Sequence, residues 1–407
     1  METPRATIDL NGMWDLAFDA RNAGKQKGWF RTFPAQEKMP VPGVWEQIQP
    51  GYDGVGWYRR TFRADKSWRG RTVRLHFGAV EYFCECWLNG TFIGAHEGGF
   101  TPFVFDISQA FREGENELVV RVITPPIDYE IEGFRAGAPL NQGNLPVGKA
   151  AWYYNFGGIW QDVRIVISDP VTITDVFVAP YWRRKRAEAT VTIVSRRKAG
   201  KAEVVCQVKP VKGRREVRHV EREVQLRRGK NQFALKIPMG NFTSWSTENP
   251  FLYEAAVTVS CDGQLLDTKR VRFGMREFTI RGDKFVLNGK PIILKGMLQQ
   301  GMYPRTLIYP DSREMAEKEL HLLKDNGFNF MRAHLRPTNP YYLDLCDELG
   351  ILVEAEPAIG WISNTPETER RCRNEVEGMI RRDRNHPSVI FWCLMNEAYH
   401  FRGFTMR

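Results

Sequence analysis

Two successive patterns of apolar and polar residues occupy the first two thirds of the chain. Up to about residue 168, short apolar and aromatic runs alternate with Gly, Pro, Asn and Asp, and helical periodicity is scarce. This pattern predicts an antiparallel β-sandwich of jelly-roll type over residues 8–168. Residues 169–276 contain short alternating strands separated by charged turns, which predicts an immunoglobulin-like β-sandwich.

Strands and helices alternate in the last third of the chain. Helices are predicted over residues 313–326, 341–349 and 368–382, where apolar residues recur with helical spacing. The strands between them are apolar, and the last is an unbroken apolar run, Val389–Met395, which predicts a strand buried on both faces. The alternation predicts parallel βα units, and four such strands correspond to the first half of a TIM (β/α)8 barrel over residues 279–407.

Two local signals lie within the first predicted sandwich. Asn89-Gly90 separates two strand-like runs and predicts a two-residue turn of type I′, because both residues tolerate a positive φ. Cys84 and Cys86 are two positions apart on one run, so they share a strand face and are poorly placed to bridge each other. The chain has seven cysteines, an odd number, with no zinc-site spacing, and we expect reduced core thiols.

The net charge of +10 is concentrated in one region. Residues 183–236 hold 18 Lys or Arg and 5 Asp or Glu, so the rest of the chain is slightly acidic. Charged and apolar residues alternate there, which favours a solvated sandwich face over a nucleic-acid-binding groove. The sequence shows no apolar signal region and no run of membrane-spanning length, which favours a soluble cytoplasmic protein without membrane association.

Two segments carry candidate chemistry. Residues 152–160 combine aromatic side chains with two glycines, and they form either a platform that stacks on sugar rings or an apolar plug between domains. The apolar run that begins at Val389 ends on Asn396-Glu397. Barrel enzymes carry their chemistry at the carboxyl ends of strands, so Glu397 is either a catalytic carboxylate or a solvated strand terminus. No cluster with metal-ligand spacing stands out, and neither a metal nor a cofactor is expected.

A series of short motifs occurs in a particular order along the chain. The motifs are Asn89-Gly90, Gly98-Gly99-Phe100-Thr101-Pro102-Phe103, Gly157-Gly158-Ile159-Trp160, Trp245-Ser246-Thr247-Glu248-Asn249-Pro250-Phe251-Leu252-Tyr253, Phe273-Gly274-Met275-Arg276-Glu277, Asn288-Gly289-Lys290-Pro291, Leu345-Cys346-Asp347-Glu348-Leu349-Gly350, and Asn385-His386-Pro387-Ser388-Val389 leading to Asn396-Glu397. In this order and spacing the chain resembles glycoside hydrolase family 2, the β-galactosidase, β-glucuronidase and β-mannosidase group, over nearly its whole length. The resemblance implies a sugar-binding first sandwich and a β-galactosidase-like retaining glycosidase acting on β-glycosides.

The resemblance also implies a role for each candidate site residue. Glu397 corresponds to the family's general acid/base, and Asn396 to the amide that hydrogen-bonds the sugar 2-hydroxyl. Glu356 corresponds to a pocket glutamate that positions other groups, and Arg332 and His334 to substrate-binding residues. A retaining glycosidase needs one carboxylic acid to protonate the leaving oxygen and a second carboxylate, about 5 Å away, to attack the anomeric carbon.

Two positions depart from the family pattern. Galactosidase-like and glucuronidase-like members carry Arg-x-x-His-x-Pro after the second barrel strand, whereas Arg332, His334 and Pro337 give Arg-x-His-x-x-Pro. Because strand side chains alternate between faces, this displacement turns His334 away from the pocket unless the strand end bulges. Glucuronidase-like members carry Asp where this chain has Trp152, which argues against a glucuronidase; Trp152 itself is a candidate substrate contact.

The family's nucleophile, a glutamate on a later barrel strand, is not found in this sequence. From 279 to 407 the sequence has 129 residues, against about 250 for a complete barrel. We therefore expect an incomplete hydrolase: a shortened gene product, one part of a split enzyme, or a decayed enzyme. The alternatives are a non-catalytic carbohydrate-binding protein or a scaffold subunit, and a homo-oligomer or a complementing chain is the expected protein partner.

Overall fold

β-Strands make up most of the fold. The computed structural model describes residues 5–138, 141–150, 155–197, 200–213 and 217–397. Its strands are β1 (Ala6–Asp9), β2 (Gly12–Phe18), β3 (Glu37–Val41), β4 (Gly54–Ala64), β5 (Thr72–Phe77), β6 (Phe83–Leu88), β7 (Thr91–Glu97), β8 (Phe103–Asp106), β9 (Gly114–Thr124), β10 (Val163–Ser168), β11 (Val171–Tyr181), β12 (Arg186–Ser195), β13 (Gly200–Pro210), β14 (Arg218–Leu226), β15 (Gly229–Pro238), β16 (Tyr253–Cys261), β17 (Gln264–Phe273), β18 (Phe278–Arg281), β19 (Lys284–Leu287), β20 (Lys290–Ile292), β21 (Gly296–Gln299), β22 (Phe330–Ala333), β23 (Leu352–Ala355) and β24 (Val389–Trp392). Its α-helices are α1 (Arg313–Asp325), α2 (Pro340–Leu349) and α3 (Pro366–Asp383).

The first unit is a sandwich of two antiparallel sheets. One sheet has the strand order β3-β2-β4-β9-β6-β7 and the other the order β1-β10-β5-β8. Apolar residues of the two sheets, such as Leu16, Val120 and Ile165, form one core between them. The β6–β7 hairpin turns at Asn89 and Gly90, whose φ angles of 52° and 77° fit the predicted type I′ turn. The predicted jelly-roll-type sandwich is confirmed.

The second unit is a smaller sandwich with the predicted immunoglobulin-like architecture. Its sheets have the orders β11-β12-β15 and β14-β13-β16-β17, and all their strand pairs are antiparallel. Val191 and Ile193 of β12 pack in a core with Val204 and Val257 of the facing sheet. Most of the basic region 183–236 lies on strands β12 to β15, where exposed and buried positions alternate. The charge pattern therefore reflects solvated strand faces.

The last unit contains a parallel sheet with the order β21-β22-β23-β24. Its strands are connected in turn by α1, α2 and α3, and a small antiparallel sheet, β18-β19-β20, precedes them. Helix α1 begins at the N-cap Ser312, whose hydroxyl accepts a hydrogen bond from Met315 N. Helix α2 ends at Gly350, which has the left-handed conformation with φ 73°. The predicted alternation of parallel strands and helices is confirmed.

Strand β24 is shorter and less buried than the sequence predicts. It ends at Trp392, only Val389 of the run 389–395 is buried, and Leu394 is 42 % exposed. Within the described sheet β24 is an edge strand that pairs with β23 alone. The prediction of a seven-residue strand buried on both faces was wrong, because an apolar run does not determine how many strands flank it.

The aromatic segment near residue 156 packs between the first sandwich and the last unit. Phe156 and Trp160 are buried in a cluster with Phe100 of the sandwich and Ala358 of the last unit. For these two side chains, the plug between domains was the correct alternative. Residues 152–154, including Trp152, lie outside the described residues.

Cysteine pairing and membrane crossing can be assessed over the described ranges. All seven cysteines lie there, none of them forms a disulfide bond within these ranges, and Cys84 and Cys86 are buried on β6. Burial raises the pKa of the Cys86 thiol well above its ordinary value, which suits an unreactive core residue. None of the helices described combines the length and the apolar composition that crossing a bilayer requires.

Candidate active site

Polar side chains from three adjacent strands meet at the carboxyl edge of the parallel sheet. Arg332 lies on β22, Glu356 follows β23, and Asn396 lies beyond β24. Arg332 Nε and Nη2 donate hydrogen bonds of 3.1 and 3.2 Å to the two carboxylate oxygens of Glu356. Arg332 Nη2 also donates one of 2.9 Å to Asn396 Oδ1. The guanidinium therefore ties three strand ends together with charge-assisted bonds.

The segment before β24 determines where that strand enters the sheet. The Asn385 amide forms two hydrogen bonds of 2.9 Å with the backbone of β11. Asp347 on α2 lies 2.6 Å from His386 Nδ1 and accepts a 3.0 Å hydrogen bond from Ser388 N. Contacts with the second sandwich and with α2 thus position β24, and Asn396 and Glu397 with it.

Unusual backbone conformations occur at the same edge. Leu335, Trp361 and Glu397 follow β22, β23 and β24, and their φ angles are 70°, 51° and 48°. Such left-handed conformations cost of order 1 kcal/mol or more for residues other than Gly, and they cluster at functional sites. This observation favours a functional role for this edge of the sheet.

Glu356 is the most enclosed carboxylate of the group, with no exposed surface. Burial raises the pKa of Glu356, but hydrogen bonds from His334 and Arg332 outweigh burial, and the net pKa lies below its ordinary value. Glu356 is therefore ionised at neutral pH. Because its oxygens are occupied by these donors, the arrangement suits positioning better than nucleophilic attack.

Asn396 is buried, and its side-chain NH2 group is to spare. Its backbone N–H donates a 2.9 Å hydrogen bond to Ile359 O, and its Oδ1 accepts from Arg332. Its Nδ2 is buried, and among the described residues it has no hydrogen-bond partner. Leaving a buried donor unpaired costs about 1–3 kcal/mol, so an oxygen of a ligand would be bound favourably there.

Glu397 is paired with a lysine from the first sandwich. Glu397 Oε2 accepts a hydrogen bond from Lys149 Nζ. The Glu397 side chain is 46 % exposed, whereas that of Lys149 is 3 % exposed. The Lys149 ammonium also lies 5.2 Å from the centroid of the Trp361 ring. An accessible carboxylate is thus supported by an enclosed cation.

The displaced Arg-x-His spacing brings both residues to the same carboxylate. His334 Nδ1 lies 3.4 Å from Glu356 Oε2, and Arg332, two positions earlier, binds Glu356 as well. Residues two apart share a strand face, so His334 points toward Glu356 and not away from it. The predicted substrate contact of Trp152 concerns a residue outside the described ranges and stays a prediction.

Among the residues that the structure describes, two groups of side chains have ligand-type atoms within 4.8 Å of one another. They are Glu354, Glu356 and Cys393, and Asp344, Asp347 and His386. In the first group, the Arg332 guanidinium lies 3.5 Å from Glu354 and 3.1 Å from Glu356 and supplies the positive charge. In the second, His386 and Arg272 pair with the two aspartates. Both groups are accounted for by ion pairs.

Three site residues escaped sequence analysis: Lys149, Glu354 and Cys393. Lys149 is 248 positions away from its partner Glu397 and lies in a loop without a regular pattern. Glu354 lies on β23, and Cys393 directly follows β24. For both residues, the alternation of strand faces was the one available sequence signal of where the side chain points. That signal alone does not distinguish a pocket-facing side chain from a helix-facing one.

Models of one family match three consecutive parts of the chain. Residues 47–168 match the sugar binding domain of "Glycosyl hydrolases family 2", residues 171–276 match "Glycosyl hydrolases family 2", and residues 278–406 match its TIM barrel domain. A β-galactosidase of Thermoanaerobacter pseudethanolicus is 29 % identical over 354 residues, which cover 85 % of this chain and 45 % of the relative. The chain thus spans about half the length of this curated relative.

Solved structures show the same architecture. A β-glucuronidase of Ruminococcus gnavus in complex with D-glucuronic acid has a TM-score of 0.83 and 25 % identity, covering 98 % of this chain and 69 % of that one. A Bacteroides uniformis β-glucuronidase has a TM-score of 0.80 and 24 % identity, covering 95 % of this chain and 46 % of that one, and supports the fold alone. The three family models, in the order of the three structural units, show that the chain belongs to glycosyl hydrolase family 2.

Proposed function

We propose that this protein acts as a retaining β-glycosidase in which Glu397 is the general acid/base. The observation that carries the proposal is the half-exposed carboxylate of Glu397 at the carboxyl edge of the parallel sheet, beside the buried amide of Asn396. Chemistry in barrel enzymes is located at this edge. An accessible carboxyl group there is able to protonate a glycosidic oxygen and later to take a proton from water.

The neighbouring side chains suit sugar binding. The buried Nδ2 of Asn396 has no partner among the described residues and is available to a sugar hydroxyl, which we assign as the 2-hydroxyl by resemblance to the family. Arg332 fixes the Asn396 amide through its oxygen, so Nδ2 is the atom left for the ligand. We assign Arg332, His334 and Glu356 to holding this amide and the pocket wall.

The reaction also needs a nucleophilic carboxylate about 5 Å from the acid/base. In the family this is a glutamate on a barrel strand later than the four strands of this sheet. Glu356 already accepts hydrogen bonds from Arg332 and lies 3.4 Å from His334, so we do not assign it this role. The nucleophile is therefore proposed to come from another part of the barrel.

Each structural unit has a proposed task. We assign sugar binding to the sandwich of residues 8–168, spacing to residues 169–276, and the acid/base to the barrel portion of residues 279–407. The substrate class is a β-glycoside. The names of the relatives point to β-galactosides and β-glucuronides, and Trp152, which replaces an Asp of glucuronidase-like members, argues against the glucuronide without selecting another sugar.

The proposal is tested with a panel of aryl β-galactoside, β-glucoside, β-glucuronide and β-mannoside. The panel is applied to the 407-residue chain and to a version extended through the downstream reading frame. Turnover of one glycoside, with retention of anomeric configuration by proton NMR, supports the proposal. Absence of turnover in both versions overturns it, and sugar binding without turnover would favour a carbohydrate-binding protein.

A further inference from the structure

A loop of the first sandwich reaches the carboxyl edge of the parallel sheet. This loop, residues 141–150, is held against residues 358–363, which follow β23. Gly148 N donates a hydrogen bond of 2.8 Å to Ala358 O, and Gly143 exchanges hydrogen bonds of 3.1 and 2.8 Å with the same segment. The backbone directly before Lys149 is therefore anchored to the sheet that carries Glu397.

The Lys149 side chain is enclosed, whereas the Glu397 side chain is accessible. Its side chain is 3 % exposed, its ammonium lies 5.2 Å from the Trp361 ring centroid, and it donates to Glu397 Oε2. Burial of an ammonium is unfavourable unless a counter-charge and a π-face compensate for the lost water. The contact therefore fixes Oε2 of Glu397, while the Glu397 side chain as a whole stays 46 % exposed.

We propose that Lys149 is a positioning residue for Glu397, an inference that rests on the proposed function. With Oε2 held by the ammonium, Oε1 is the oxygen that meets the glycosidic oxygen and, afterwards, the attacking water. The positive charge complements the carboxylate form of Glu397. That form acts in the second half of the reaction, so Lys149 supports the second step more than the first.

In the second step water hydrolyses the glycosyl-enzyme. The water oxygen forms a bond to the anomeric carbon while the bond from that carbon to the nucleophilic carboxylate breaks, and its electron pair returns to the carboxylate. One water proton passes to Glu397 Oε1. Loss of Lys149 removes the contact that orients and complements Glu397 for this proton transfer.

The experiment uses the active version of the protein and the 2,4-dinitrophenyl β-glycoside of the sugar that the panel identifies. Dinitrophenolate leaves without protonation, so the second step limits kcat. In Lys149→Met we expect kcat to fall about tenfold, a part of the roughly 10²–10⁴-fold contribution of general acid–base catalysis. Sodium azide attacks without a base, so it should restore turnover and give the β-glycosyl azide. Lys149→Arg should keep more of the rate than Lys149→Met.

Lys38→Met is the matched control, since Lys38 is a 64 % exposed lysine of the same sandwich that pairs with Asp15. It should leave kcat and the azide response unchanged. If the wild-type protein is active and the kcat of Lys149→Met stays within twofold of the wild-type value, this inference alone is overturned. A loss of kcat in Lys149→Met that azide does not restore also overturns it, because such a loss would indicate a purely structural role of Lys149. If Lys149→Met does not fold, the neutral variant Lys149→Gln takes its place, and Lys149→Gln at wild-type kcat and without an azide response is the overturning result. Wild-type inactivity on the whole panel overturns the proposed function and this inference together.

Discussion

Arg332 and Asn396 are 64 positions apart in the sequence, yet Arg332 Nη2 donates a hydrogen bond of 2.9 Å to Asn396 Oδ1. The same guanidinium binds both oxygens of the fully buried Glu356. The amide next to the proposed acid/base is therefore oriented by an ion pair between two other strands. This arrangement makes the geometry of the site depend on the charge balance around Glu356.

Removal of Arg332 should destabilise the fold. In Arg332→Met the buried Glu356 carboxylate loses its cation, and we expect the free energy of unfolding to fall by about 3 kcal/mol, because an uncompensated buried charge is strongly unfavourable. The double variant Arg332→Met/Glu356→Gln should recover part of the loss. Urea denaturation of the four proteins in this cycle measures the coupling.

The matched control for Arg332 is Arg373→Met on α3. Arg373 pairs with Glu369 on the helix surface, where their side chains are 51 % and 39 % exposed. We expect a change below about 0.5 kcal/mol there. Strict additivity of the Arg332 and Glu356 substitutions would contradict the predicted coupling.

The substitution Glu397→Gln should abolish glycosidase activity without unfolding the protein. The amide keeps the size of the side chain and an oxygen acceptor for Lys149, but it neither donates nor accepts the catalytic proton. We expect at least a roughly 100-fold loss of kcat on an aryl glycoside with a poor leaving group. Circular dichroism checks the fold, and Glu369→Gln on α3 is the exposed control. Unchanged turnover in Glu397→Gln would contradict the assignment of Glu397 as the acid/base.

The interface between α3 and the first sandwich should lose stability as pH rises. Glu375 Oε1 accepts a 2.9 Å hydrogen bond from Gly99 N. Burial raises the pKa of Glu375 from 4.5 to about 7, partly opposed by the Gly99 N–H and by Arg382. The native state thus binds an extra proton between these two pH values. The contribution of Glu375 to the stability of the native state is therefore largest below about pH 4.5, and it declines as pH rises toward 7.

The variant Glu375→Gln removes this titration while it keeps the acceptor for Gly99. Its stability relative to the wild type should increase between pH 5 and pH 8, by up to about 3 kcal/mol. Urea denaturation at pH 5, 6, 7 and 8 measures the difference. Glu377→Gln, at an exposed position of the same helix, should parallel the wild type. A Glu375→Gln curve parallel to the wild type at every pH would disprove the prediction.

Gly157 should not tolerate a side chain. An added Cβ would lie 2.1 Å from Thr124 Oγ1 and 2.3 Å from the Trp45 ring. Gly157→Ala should lower the free energy of unfolding by about 2 kcal/mol through overpacking. At Gly240, φ is 53° and a Cβ would meet open space, so Gly240→Ala tests backbone strain alone and should cost about 1 kcal/mol. Equal thermal melting temperatures for Gly157→Ala and the wild type would refute the steric argument.

Local signals account for most of the fold that the sequence predicts. The type I′ turn at Asn89 and Gly90 and the end of α2 at Gly350 depend on the conformational preferences of a few adjacent residues. Helical and strand periodicity is local in the same sense. These elements could therefore be assigned before any tertiary contact was known.

Burial across the chain was less predictable. The apolar run from Val389 ends as strand at Trp392, and its exposure depends on how many neighbouring strands pair with it. From the sequence, Phe156 and Trp160 fitted a sugar-stacking platform and an apolar plug between domains equally well. Their packing against Phe100 and Ala358 decided for the plug. A residue pattern shows which side chains avoid water, but not which partners cover them.

The sequence by itself determined the order of the three units, their strand and helix types, and a position for Asn396-Glu397 shortly after the last strand. Only the tertiary structure decided that Arg332 joins Glu356 to Asn396, and that Lys149 from the first sandwich contacts Glu397. The physical reason is the distance along the sequence over which each kind of interaction acts. Periodicity and turn propensity act over a few residues, whereas the charges that define this site come from segments up to 248 positions apart and meet only when the sandwich packs against the sheet.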